Sequence, residues 1–350
     1  MILHPVQLLL ANILNEVHMT NMKDVAKAAG VSIATVSRVL ANKAYVRPEI
    51  RQQVMQVVED LNYRPNRVAR SLRSQKTSII SLIVSDIQNP FFTAVTRAVE
   101  DVASAHDMSV FVCNSDENQV KELRYLEHMQ AENVAGIIFS PTRLTSDDFP
   151  NQVDTDLPIV LIDRQVTGAD LDSVLIDNQR AAYELAEHLI QDGHRRLGAM
   201  FDSTSTTGRE RRQGFMQALG DYGLEADPEL VVTIEAREDL GYQTTWHLLN
   251  HPDRPQAIFC SNGLMARGAY RALQESGLLI PDQVGFASFD DTAWAGLVDP
   301  PVTVIRQPTY EIGKTATELL LERLRDPGRA TRRVVLKPTL VIRRSCGRHS

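Results

Sequence analysis

The sequence predicts an α/β fold of two doubly wound parallel-sheet lobes with a small all-α head, and three observations point there. With 350 residues and 43% hydrophobic content, the chain holds enough apolar material for more than one core. From Thr77 onward, short β-branched runs (SIISLIVSD, SVFVCNSD, VAGIIFS, PIVLID, SVLIDN, RLGAMFD, VVTIEA, AIFCSN, VGFASFDD) are interleaved with amphipathic helical stretches. Continuous apolar strands alternating with helices are the pattern of parallel sheets covered on both faces, and about ten of them make two lobes. Before Thr77 the pattern is helical only.

The first 21 residues lack a Lys/Arg-rich start and a small-residue cleavage site, so they read as a disordered extension rather than a secretion signal. Residues 22–65 form the head. Its three helices are MKDVAKAA, then ATVSRVL after a turn at Gly30, then PEIRQQVMQVVEDL opened by Pro48. Residues 66–77, basic and poor in apolar side chains, read as a linker whose RVARSL stretch can form one or two helical turns.

The net charge of -7 is unevenly spread. Residues 19–78 carry eleven Lys/Arg against four Asp/Glu, whereas residues 79–350 carry 26 against 39. A basic head on an acidic body suits a protein that touches phosphate with one end only. Within the head, a 3.6-residue period puts Val36, Val39 and Leu40 on one side of ATVSRVL, and Ile33, Ala34, Ser37 and Arg38 on the other, with Ser32 as N-cap. A helix that locks by one face and offers the other to a major groove needs this division. Arg38 can donate twice to guanine, Ile33 and Ala34 can press on thymine methyls, and Thr35 and Ser37 can reach phosphates.

The predicted strands of the body close on polar residues, among them Asn89, Ser140, Asp163, Asp177, Asn262 and Asp290. Ligands of open α/β sheets bind outside the carboxyl ends of the strands, so part of this set is expected in one inter-lobe cleft, and about half as ordinary caps. Signals for catalysis are absent: there is no GxSxG elbow, HExxH or Walker loop. Cys113, Cys260 and Cys346 are odd in number and have no CxxC or histidine spacing, which argues against disulfides and zinc. No catalytic residue, metal or cofactor is therefore expected, no apolar run reaches the ~20 residues of a membrane span, and a reducing cytoplasm fits best.

The run MKDVAKAAGVSIATVSRVLANKAYVRPEIRQQVMQVVEDLNYRPNRVARSL closely resembles the head and hinge of the lactose-repressor/galactose-repressor family. SLIVSDIQNPFF, TGRERRQGF, AIFCSNGLMARGAYRAL, FDDTAWAGLVDPPVTVIRQP and LVIRRS resemble landmarks of that family's body, which is similar to periplasmic sugar-binding proteins. The resemblance spans residues 22 to 345. It implies a homodimeric, ligand-responsive repressor bound to a pseudo-palindromic operator, with an effector, a sugar or sugar derivative, held between two lobes. Residues 78–177 plus 307–336 would form one lobe and 178–306 plus 337–345 the other. On the DNA side it assigns Ile33, Ala34 and Arg38 as the base-reading positions, beside the cap Ser32 and the phosphate candidates Thr35 and Ser37 read above. It adds Asn66, Arg67, Ala69 and Leu72 in a hinge helix that folds when two chains meet on DNA, Leu72 being the minor-groove wedge. On the effector side it assigns Phe91 and Phe92 as an aromatic wall, Asp163 and Asp177 between the lobes, Arg209 as a polar clamp with Arg211 as a second candidate, and Asn262 and Asp290 opposite. Ser140 joins them as a strand end, and Trp294 is read either as a flat face for a ring or as packing.

Three positions depart from the family pattern: Arg47 where a capping residue is common, Gly263 where many relatives carry Asp, and Ala236 where some place an aromatic ring. The cleft can therefore take a different or larger ligand, including a sugar acid or phosphorylated sugar. A secreted sugar-binding protein and a sugar-modifying α/β enzyme are the rival readings. The basic head disfavours the first, and turnover of a sugar panel would support the second.

Overall fold

The structure is a computed structural model that describes residues 21–40, 45–63, 77–146 and 157–347, in two compact units divided near residue 75. The extension before Asn21 and the hinge positions Asn66, Arg67, Ala69 and Leu72 lie outside the described residues.

In the first unit, α1 (Met22–Ala28), α2 (Ile33–Leu40) and α3 (Pro48–Asp60) share a core of Val25, Ala29, Val36, Val39, Val54 and Tyr63. Helices this short are marginal alone, and packing and capping hold them. Asn21 builds a capping box: its Oδ1 accepts from the Lys23 amide at 2.8 Å, and the Asp24 carboxylate accepts from the Asn21 amide at 2.9 Å. Gly30 takes φ +60° in the turn, and the Ser32 hydroxyl accepts from the Thr35 amide at 3.1 Å. Arg47 gives α3 no side-chain cap, and Pro48 at its first position removes one of the orphan donors.

The second unit holds two six-stranded sheets. The first is ordered β11-β5-β4-β3-β1-β2 from β1 (Ile79–Val84), β2 (Ser109–Asn114), β3 (Gly136–Phe139), β4 (Ile159–Ile162), β5 (Asp172–Ile176) and β11 (Arg333–Leu336), all parallel. The second is ordered β12-β10-β9-β8-β6-β7 from β6 (Leu197–Asp202), β7 (Val231–Ile234), β8 (Ala257–Cys260), β9 (Gly285–Phe289), β10 (Thr303–Arg306) and β12 (Thr339–Val341). Helices α4 (Pro90–Ala105), α5 (Gln119–Ala131) and α10 (Thr309–Arg325) cover the first sheet. Helices α6 (Asn178–Gln191), α7 (Thr206–Asp221), α8 (Glu238–Leu249) and α9 (Gly263–Ser276) cover the second. The aromatic centre of the second lobe is Phe201, Phe215, Phe259 and Phe289, with centroids 5.1 to 6.1 Å apart.

Two features correct the pattern read from sequence. The second sheet is not wholly parallel, because β12 runs antiparallel to β10. The edge strands β11 and β12 are half-exposed, so they lack the continuous apolar run that marks the interior strands.

Glycines bring the helix pairs into backbone contact. A Cβ on Gly268 of α9 would strike the Glu238 carbonyl of α8, and one on Gly214 of α7 would strike the Gln179 carbonyl of α6. Gly268→Ala is expected to destabilise the body by about 1–3 kcal/mol, read as a lower urea midpoint with an unchanged slope. An unchanged midpoint would show that the pair can separate freely.

Glu122 of α5 is fully buried under the loop after β3. Its carboxylate accepts from the Thr142 amide at 2.6 Å, the Thr142 hydroxyl at 3.3 Å and the Thr145 hydroxyl. Burial outweighs these donors and pushes the group from 4.5 up to about 7. A raised acid binds its proton more tightly in the folded state, so its contribution to stability falls as pH rises between about 4.5 and 7. Glu122→Gln should flatten the stability curve in that window, measured by urea unfolding at stepped pH. A curve parallel to that of the native chain would contradict this.

Candidate functional sites

The reading face of α2 is open. Ile33, Ala34 and Arg38 are exposed and Ser37 is partly so, while Val36 and Val39 behind them are buried. Thr35 and Ser32 pair their hydroxyls at 2.9 Å at the start of the helix. Exposed aliphatic side chains beside an arginine on a rigid, back-packed helix make a surface that can enter a groove and sort bases.

In the second unit, the strand ends of both sheets line a cleft of about 760 Å³. From the first lobe come Asp86 and Asn89 after β1, Asp116 and Glu117 after β2, and Arg164 after β4; from the second come Asp202 after β6, Ala236 and Arg237 after β7, and Asn262 after β8. A narrow inner end is lined by Phe91, Phe92, Asp163, Arg164, Arg211 and Asp290 among others. Phe91 and Phe92 meet edge to face at 4.9 Å.

Asp163 and Asp290 occupy matching places in the two lobes. Each follows a strand and adopts left-handed backbone, with φ +64° and +71°, a conformation that Asp tolerates better than most residues. This bends the chain so that each carboxyl turns into the cleft. Asp290 accepts from the Gln307 amide group at 2.7 Å and from the Gly263 amide at 3.0 Å. A Cβ at Gly263 would lie 3.0 Å from the Asp290 Cβ, so the glycine is what admits this close approach. Burial pushes Asp163 up to about 6, against the pull of Arg164 and Arg211.

Two buried guanidinium groups oppose these carboxyls. Arg164 donates to both oxygens of Glu117, at 2.8 and 2.6 Å, and to the Pro141 carbonyl at 3.1 Å, and its Nε lies 3.2 Å from Asp163. Arg211 donates from Nε to Asn178 at 2.9 Å and from Nη1 to the Ser261 carbonyl at 2.6 Å, with its guanidinium carbon 4.1 Å from the Phe289 ring centroid. The inner cleft thus presents fixed forks of donors beside fixed carboxylates, complementary to a ligand dense in hydroxyls.

Phe91, Phe92, Asp163, Asn262 and Asp290 meet here, whereas four other residues expected at the effector site do not. Arg209 is exposed and lines no part of the cleft; it lies two residues from Arg211, and at about 100° per residue that places it on the opposite face of α7. Asp177 is the exposed N-cap of α6, accepting from the Arg180 amide at 2.8 Å, and borders a separate cavity. Ser140 is buried beneath the cleft floor without lining it. Trp294 is partly buried and packs on Tyr270 at 5.6 Å against the core of the second lobe. Glu117 and Gln307 carry no signal in the sequence, because their roles arise from contacts between distant elements.

Among the described residues, no helix is long and apolar enough to cross a membrane. Residues 21–66 match the model of bacterial regulatory proteins, lacI family, and residues 77–344 match that of periplasmic binding proteins and sugar binding domain of LacI family. The regulator DegA of Bacillus subtilis is 34% identical over 331 residues, covering 93% of this chain and 98% of DegA. The ribose operon repressor of Haemophilus influenzae is 33% identical over 332 residues, again 93% and 98% of the two chains. The solved complex of the transcriptional regulator CelR with cellobiose is 28% identical with a TM-score of 0.70, covering 93% of this chain and 99% of that one. An outward-facing reading helix, a two-lobed body with a polar cleft and these matches lead to one assignment: the chain belongs to the LacI family of DNA-binding transcriptional regulators and is not an enzyme.

Proposed function

We propose that this regulator is a cytoplasmic homodimeric repressor whose affinity for a pseudo-palindromic operator is set by a sugar or sugar derivative held between its lobes. The observation that carries the reading is that Arg164, Arg211, Asp163 and Asp290 line one inner end of the cleft together, since adjacent hydroxyls donate to carboxylates and accept from guanidinium forks. Family membership and the sugar-complexed CelR relative support it. The lobes need differ in ligand affinity between two arrangements by only a few kcal/mol for operator affinity to change, and the coupling is reciprocal.

On DNA, Arg38 reads guanine while Ile33 and Ala34 contact thymine methyls, and the hinge with Asn66, Arg67, Ala69 and the wedge Leu72 orders on a flexible central step. Arg38→Ala is expected to weaken operator binding by about 1–3 kcal/mol and to relax specificity at one position in each half-site, measured by binding selection and mobility shift. A selected site without dyad symmetry would overturn the dimeric reading. For the effector, thermal-shift screening of sugars, sugar acids, sugar phosphates and nucleobases, followed by operator binding with each hit, decides the class. Stabilisation by nucleobases alone would exclude a sugar.

A further inference from the structure

Where the tail after β12 returns to the second lobe, Cys346 comes to rest against the C-terminal end of α6. His188 and Asp192 project there from successive turns of the helix, and Cys346 Sγ, a nitrogen of His188 and a carboxylate oxygen of Asp192 all lie within 4.8 Å of one another. His188 Nε2 is 3.5 Å from Asp192 Oδ2. We propose that these three side chains form a binding site for a divalent cation of zinc type, separate from the effector cleft and the reading helix.

Four observations support the site. Zinc bonds of about 2.0–2.3 Å in a tetrahedron place ligand atoms about 3.3–3.8 Å apart, so the His188 to Asp192 spacing already matches and the sulfur needs a shift of at most about 1–1.5 Å. Thiol, imidazole and carboxylate are the ligand types that zinc accepts together, whereas magnesium and calcium take oxygen alone. Thiolate and carboxylate balance a divalent ion, which removes the cost of unpaired charge in a place where Cys346 is fully buried and His188 nearly so. The tail is also held in place, since the Cys346 carbonyl is 2.5 Å from His194 Nε2 and Ser345 donates to the Phe286 carbonyl at 2.5 Å.

Cobalt(II) added to the purified full-length protein is the test, because a cysteine thiolate on cobalt gives a near-ultraviolet charge-transfer band and tetrahedral coordination gives intense visible bands. Both are expected from the native chain and are displaced by one equivalent of zinc. Cys346→Ser should remove the charge-transfer band, and His188→Gln and Asp192→Asn should each weaken cobalt binding more than about 10-fold, since loss of even an outer partner costs that much. Cys113→Ser and Cys260→Ser should retain the band. No charge-transfer band from the native protein, or a band that survives in Cys346→Ser, overturns the proposal. The native measurement decides even where a variant fails to fold.

Discussion

Arg164→Met is expected to destabilise the body by about 3–5 kcal/mol, the usual loss when one partner of a buried ion pair is removed. Its guanidinium is 6% exposed, grips both oxygens of Glu117 and leans on Asp163, so the methionine leaves the Glu117 carboxylate without its partner and Asp163 with only the pull of Arg211. The chain then protonates one of them or admits water, and either costs free energy in the folded state only. Urea unfolding followed by tryptophan fluorescence measures the loss. Combining Arg164→Met with Glu117→Gln should recover a large part of it, because the stranded charge goes too. A single variant within about 1 kcal/mol of the native chain would mean that Arg164 is solvated by another route, and the account of the cleft floor would fail.

Arg211→Met should separate sensing from DNA binding. The side chain is anchored through Nε and Nη1 and stacked on Phe289, which leaves the guanidinium aimed at the inner cleft. Losing one or more charge-assisted bonds to the effector should weaken its binding by about 1.5–3 kcal/mol each, roughly 10- to 150-fold. Operator affinity without effector should stay within about twofold, because the reading face of α2 is untouched. Arg209→Met is the internal control. It alters the neighbouring exposed position and should change neither measurement. Titration calorimetry with the strongest hit of the thermal-shift screen, paired with mobility shift, reads both. If Arg209→Met blunts the effector response and Arg211→Met does not, the assignment of the clamp is reversed.

The outward face of α2 was legible from sequence because a helix imposes its own geometry. Once Ser32 caps it and Val36 and Val39 repeat at helical spacing, Ile33, Ala34 and Arg38 must point away from the core. Most interior strands were legible for the same reason, since burial on both faces demands continuous apolar runs, but the four-residue β10 was not. β11 and β12 escaped notice because they span only four and three residues, none of them fully buried.

The cleft divides along the same line. Placing strand ends at a common crevice follows from the alternation of strands and helices alone, and Asp163, Asn262 and Asp290 are strand ends. Which polar residues actually face it depends on angles that local sequence does not encode. A run of arginines such as TGRERRQGF offers several clamps, and only the packing of α7 on α6 and β8 turns Arg211 inward and Arg209 out.

By itself the sequence determined the class of most elements, the basic head on an acidic body and the outward residues of α2, because propensity, periodicity and charge act over a few residues. Only the tertiary structure decided that Glu117 neutralises Arg164, that Trp294 packs against the core of the second lobe, and that Cys346 meets His188 and Asp192. Those contacts join residues far apart in the chain, and long-range pairs are fixed by how whole elements pack rather than by anything their neighbours in sequence prescribe.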